Sequence, residues 1–288
     1  SLEHSAIILS SDKIRLEFPD AGNDFIFKRL YNQMNIALEK GINVIIDATN
    51  TTIKMRRQIF LNLKVECEKI CYIMNTSYKK RLEVRNYRHN TRHDIHYVPE
   101  EVLQRYYYNF ELPFYEEGWD KIIVHNESNP KHSEETLLLY KDLAKGFNQK
   151  NKHHCQDLGQ HMETVGDLVK NESSNWILIK AAYYHDVGKL FTQTLDEEGQ
   201  GHYYNHANVG AYNILCNCAL YVQYLDDEEK FEYRVQDTIN WIFYINYHMH
   251  LFNCTTDKSI KKWKSIFGEE KFNELKLLNK ADKTREGI

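Results

Sequence analysis

The first 125 residues admit few folds. Short β-rich apolar runs alternate there with amphipathic stretches, and strands separated by helices pair in parallel. Ala6-Ile7-Ile8-Leu9 reads as a buried strand. Apolar residues at helical spacing over 25–40 (Ile26, Leu30, Met34, Ala37, Leu38) predict a helix that Gly41 stops. Asn43-Val44-Ile45-Ile46-Asp47 predicts the next strand, 53–64 a helix and 70–74 a strand. Helices near 78–90 and 99–110 and a closing strand, Lys121-Ile122-Ile123-Val124, complete the series. From about Ser133 the apolar spacing is helical to the end, and no strand is expected. The polar stretch 126–131 separates the two regimes. The expectation is an α/β domain with a parallel sheet over 1–128, a linker and first helix over 129–150, and an all-α bundle over 151–288.

Composition narrows the function. Only 4 Pro and 12 Gly argue against a loop-dominated or sandwich chain, and 42% hydrophobic residues exclude wholesale disorder. Lys and Arg total 37 against 41 Asp and Glu, which excludes a polycationic or acidic solvating tail. The near-balance is an average. Residues 1–150 hold 22 basic and 21 acidic side chains, which leaves 15 and 20 for the rest. Within the first half, 54–92 holds 11 basic residues against 3 acidic, a density suited to a polyanion or to a solvated helix face. No apolar run reaches the roughly 18 residues a membrane span needs, and the start Ser1-Leu2-Glu3-His4 has no signal-type stretch. The six cysteines form no paired C-x2-C framework, so reduced, mostly buried thiols in a cytoplasmic protein are expected.

Histidines of the second half fall on apolar faces. His161 shares a stripe with Leu158, Met162, Val165 and Val169, and His248 one with Trp241, Ile245 and Phe252. An apolar run from Trp176 ends in His185-Asp186-Val187-Gly188-Lys189, and an adjacent His-Asp pair there is costly unless paired or coordinated. His206 opens another helical stretch, and Asp282 lies on the face of Leu275 and Leu278. The ordered set His…His-Asp…His…His…Asp over about 150–288 resembles the HD-domain phosphohydrolase superfamily, whose central signature His-Asp-Val-Gly-Lys matches closely. The resemblance implies that His161, His185, Asp186 and Asp282 ligate a first metal and that His206 and His248 extend the site to a second, with His250 the alternative to His248. Mixed imidazole and carboxylate ligands suit Mn, Fe, Co, Ni or Zn. One or two such ions would activate water and clamp a phosphoryl group. Lys189 is read either as a charge stabiliser for the phosphate or as a surface lysine capping a helix end.

Five segments of the first half resemble, in order, the P-loop polynucleotide 5′-kinases and their zeta-toxin-like relatives. Leu9-Ser10-Ser11-Asp12-Lys13-Ile14-Arg15 is similar to their S-x-D-x-x-R element, which implies Asp12 as general base for the acceptor hydroxyl and Arg15 as a clamp on the acceptor's phosphate. Asn43 to Asn50 is similar to the strand-end VIIDATN segment. Arg85-Asn86-Tyr87-Arg88 is similar to the lid, which implies that Arg85 and Arg88 neutralise the donor phosphates. Val98-Pro99-Glu100-Glu101-Val102 and Glu117-Gly118-Trp119-Asp120 complete the pattern. Read by themselves, Asp12 is a helix N-cap, and Arg85 and Arg88 lie on a solvated face. The phosphate loop G-x-x-x-x-G-K-[ST] is missing: Gly188-Lys189 is the only Gly-Lys pair in these 288 residues. ATP and Mg are therefore expected only in a longer parent chain that carries the loop.

Together the two resemblances imply nucleic-acid end processing. A kinase-like half would phosphorylate 5′-hydroxyl ends, and the HD half would remove 3′ or 2′,3′-cyclic phosphates from RNA or DNA. Two alternatives stay open: an enzyme of free nucleotides, and a non-catalytic kinase fold that senses nucleotide for the HD domain.

Overall fold

The computed structural model describes residues 6–92, 98–126, 133–151, 155–218, 228–252 and 254–284. The chain divides into two compact units, 1–69 and 70–288. The strand-to-helix transition near residue 128 is a change of pattern; the compact units part earlier.

In the first unit, β1 (Ala6–Ser10) pairs in parallel with β2 (Asn43–Asp47), Ile8 opposite Ile45. Between them run α1 (Ser11–Glu17) and α2 (Asn23–Glu39), and α3 (Ile53–Asn62) follows. Ile14, Ile26 and Leu30 form the core, with Leu9, Phe18, Tyr31 and Ile46 packed around them. Ile26 and Leu30 are positions the helical spacing picked out, whereas Ile7 and Ile8, expected in a buried strand, are exposed. Thr52 caps α3 by accepting from the Met55 N–H. Arg56 is only 1% exposed and donates to the Asn50 carbonyl, so part of the basic stretch 54–92 is core, not surface.

The second unit opens with β3 (Ile70–Asn75), α4 (Tyr78–Arg92), α5 (Glu100–Tyr108) and β4 (Lys121–Asn126). β3 and β4 pair in parallel, Ile73 opposite Val124. The strands are parallel as expected, and among the described residues they form two separate two-stranded sheets. The helical part comprises α6 (Ser133–Ala144), α7 (Leu158–Glu172), α8 (Trp176–Ala182), α9 (Lys189–Thr192), α10 (His206–Cys218), α11 (Glu228–Tyr247), α12 (Asp257–Phe267) and α13 (Glu269–Asp282). It also contains a hairpin, β5 (Thr194–Leu195) with β6 (Gly201–His202), so the expectation of no strand beyond residue 133 is corrected. Two-residue strands are too short to leave a period-2 pattern.

Polar groups explain why 70–126 pack with the helices. Asn75 donates to the Leu215 carbonyl at 2.8 Å, and the Asn246 side chain accepts from the Leu112 N–H at 2.6 Å. Tyr247 donates to the Leu112 carbonyl at 2.6 Å and Asn208 to the Phe110 carbonyl at 2.7 Å. The last three bonds serve buried backbone groups of the loop after α5, and the first a carbonyl of α10. Phe114, Phe243, Tyr247 and Phe267 pack ring against ring beneath them. The free cysteines are less uniform than expected: Cys71 and Cys216 are buried, Cys67 and Cys254 half-buried, and Cys155 exposed. Among the described residues, no helix is long and apolar enough to cross a membrane.

Candidate metal centre

Helix ends build the centre. The capping box of Asp157 and Gln160 starts α7 and sets His161 in its first turn, facing the core with Met162 and Val165. Asn175 caps α8, and the tight turns after it carry His185 and Asp186. His206 is the first residue of α10, His248 follows the last residue of α11, and Asp282 is the last of α13.

Their donor atoms converge in two groups that share one carboxylate: His161, His185, Asp186 and Asp282, then Asp186, His206 and His248. Asp186 divides its oxygens between them. Oδ2 lies 3.3 Å from His161 Nε2 and 3.4 Å from His185 Nε2; Oδ1 lies 3.0 Å from His206 Nε2 and 3.6 Å from His248 Nε2. Asp282 Oδ1 stands 3.1 Å from His161 Nε2 and 3.3 Å from His185 Nε2. Three rings are oriented from behind. Nδ1 of His185, His206 and His248 each meets a backbone carbonyl three residues back, of Ala182, Tyr203 and Ile245, at 2.8 Å. A proton held there by the carbonyl leaves Nε2 as the lone-pair donor, as metal-ligating histidines require. His185 Nε2 is buried with no hydrogen-bond partner of its own. Six inward donors fit one or two divalent ions.

Charge tells the same story. Burial alone would lower the His185 value, but Asp186 and Asp282 outweigh it and push it up to about 10. His161 is likewise raised: the two carboxylates prevail over burial. Burial would raise Asp186 and Asp282, yet both are held well below the usual carboxylate range, Asp186 chiefly by Lys189 and His185 and Asp282 chiefly by His185 and His161. His248 is lowered by burial. The first group thus demands a cation and takes protons when no metal is bound. A protonated imidazole cannot ligate, so metal affinity should rise roughly tenfold per pH unit for each proton displaced. Competition with a chromophoric chelator at several pH values checks this, and a pH-independent affinity would contradict it. In the metal-free protein, stability from the raised His185 is fully present below the unfolded value of about 6.5. It is lost as pH rises through about 10.

Other sequence-picked residues lie elsewhere. His250 packs against Tyr247 and Trp263, outside both donor groups, and burial lowers it to about 4. Lys189 is buried and not on the surface: its ammonium is 2.6 Å from Asp186 Oδ2 and 2.9 Å from Gln149 Oε1. Asp12 lies in the first turn of α1, after the N-cap Ser10, and is exposed; Arg15 bridges it at 3.2 Å and donates to Asn23 at 2.9 Å. Arg85 is turned inward, donating to the Val98 carbonyl at 2.7 Å and lying 3.7 Å from Glu100, while Arg88 is exposed on α4.

Sequence reading missed Gln149, which no periodicity marks, and the roles of Gly188 and Gly210. A β-carbon at Gly188 would overlap the His206 carbonyl, and one at Gly210 would crowd the Gly188 backbone. Two glycines flanking the metal motifs were the available signal.

Residues 2–113 match an AAA-domain family. That AAA-domain segment indicates a P-loop-kinase-like, nucleotide-binding N-terminal part, and the match continues past the division at Lys69 into the second unit. No curated protein matches the sequence.

Proposed function

We propose that the chain is a metal-dependent phosphohydrolase of the HD type that acts on nucleic-acid ends, joined to a polynucleotide-kinase-like segment. The observation that carries the reading is the shared carboxylate: Asp186 offers one oxygen to each of two donor groups. Such a pair of ions would activate water at neutral pH and hold both the attacking and the leaving oxygen of a phosphate ester. The chain's own residues orient the ligands through backbone carbonyls, exclude water around His185 and His248, and keep the Lys189 ammonium beside the shared carboxylate. Terminal 3′-phosphates and 2′,3′-cyclic phosphates of RNA or DNA are the proposed substrates, because the match over 2–113 indicates nucleotide handling by the same polypeptide. Kinase activity with ATP and Mg requires a phosphate loop, which these 288 residues do not contain.

A panel of Mn, Ni, Co, Mg and Zn against 3′-phosphate, 2′,3′-cyclic phosphate and free-nucleotide substrates tests the reading. Hydrolysis of terminal phosphates with a transition metal, and little with Mg alone, is expected. Salt-dependent binding of short RNA or DNA separates a strand-end enzyme from one of free nucleotides, since counterion release scales with the phosphates neutralised. Nucleotide binding without turnover of any substrate would overturn the hydrolase in favour of a sensor.

A further inference from the structure

The β5–β6 hairpin is tightly built. Asp196 organises its turn: Oδ1 accepts from the Glu198 N–H at 3.0 Å and the Gln200 N–H at 2.8 Å, and Oδ2 meets His202 Nε2 at 2.9 Å. The His202 ring is therefore locked by a carboxylate that the backbone itself locks. Tyr204 stacks on it, centroids 5.8 Å apart and planes within 2° of parallel. Tyr204 is nonetheless 71% exposed. A large ring held in a fixed orientation but left open to solvent offers a flat face to a planar ligand.

The same hairpin is stapled to the metal centre. Gly201 donates to the Lys150 carbonyl at 2.7 Å, and a β-carbon there would overlap the Gln149 carbonyl, which accepts the Tyr203 hydroxyl. Gln149 is the residue that holds Lys189 against Asp186. Asn205, between Tyr204 and His206, takes a left-handed φ of 60° and turns the chain from the ring pair into the first residue of α10. Two virtual Cα bonds put the Tyr204 and His206 backbones within about 7 Å, about the reach of one nucleotide. His206, like His161 and Asp282, keeps 9% of its side chain exposed where His185 and His248 are 0%.

We infer that His202 and Tyr204 form a stacking platform for the nucleobase of the nucleotide whose phosphate occupies the metal centre. The inference rests on the hydrolase reading only for the position of that phosphate. Stacking on an aromatic face tolerates any base, which suits an enzyme that recognises an end and not a sequence.

Equilibrium binding by calorimetry on the full chain with Mg, which is expected to support little hydrolysis, tests it, with adenosine 3′-monophosphate and the corresponding abasic ribose phosphate as probes. The base-bearing ligand should bind roughly tenfold or more tighter. Tyr204→Leu should bring the two affinities together, and Tyr204→Phe should keep them apart. Equal affinities in the wild type, binding of neither ligand, or a base preference that survives Tyr204→Leu would each overturn the platform. The hydrolysis panel fails or succeeds separately, so loss of the hydrolase reading is distinguishable from loss of the platform.

Discussion

Asp186→Asn should empty both metal positions at once and lower hydrolysis by well over about 100-fold, the upper range for changing a residue that merely supports a ligand. The reason is geometric: its two oxygens serve different donor groups, and among the described residues it is the one ligand the two groups share. The variant also leaves the Lys189 ammonium buried without its carboxylate, a loss of about 3–5 kcal/mol for a broken buried pair. Destabilisation would then mimic a lost site. The double variant Asp186→Asn/Lys189→Met separates the two effects, because removing both charges restores stability while the ligand stays absent. Metal content by elemental analysis, thermal unfolding and turnover together give the answer. Full hydrolysis by a stable, metal-free double variant would refute the assigned centre. His248→Ala, by contrast, should deplete the second group and leave the first, so metal content falls partway and not to zero.

Gly188→Ala should be the most damaging Gly→Ala change among the described glycines. The added carbon would meet the carbonyl of His206 and the N–H of Gly210. Both are helix backbone that cannot rotate aside, so α10 must move or the turn carrying His185 and Asp186 must. Overpacking of this kind costs about 1–3 kcal/mol, and more where backbone obstructs. Because His206 itself carries the obstructing carbonyl, the second donor group should open as well. Urea unfolding and metal content measure the two consequences. Gly22→Ala is the control, since a β-carbon there meets nothing within 4 Å. Unchanged stability and full metal content in Gly188→Ala would show that α10 does not approach the motif as described.

Much of the local structure was legible in the sequence because it follows from periodicity. Apolar spacing placed α2, α7 and β2 within a few residues of their observed bounds. The inward histidines were legible for the same reason: a polar residue on an apolar stripe must point where the stripe points. What periodicity does not carry is pairing between distant elements. A parallel sheet was expected from the βα alternation, and among the described residues the strands pair as β1 with β2 and β3 with β4. The second pair is anchored through Asn75 to the carbonyl of Leu215, a partner 140 residues away that only a folded chain can offer.

The sequence by itself determined which residue types face inward and in what order, and so the candidate ligands His161, His185, Asp186, His206, His248 and Asp282. It left His248 and His250 open, since both follow the same helix and differ by only two positions. Tertiary structure decided between their surroundings: the chain leaves α11 in a tight turn that directs His248 towards Asp186 and His250 into the rings of Tyr247 and Trp263. It also decided that Lys189 is a buried partner of Asp186 and Gln149 and not a surface cap. Those outcomes depend on helix ends meeting in space, and meeting is a property of packing that no spacing along one strand or helix encodes.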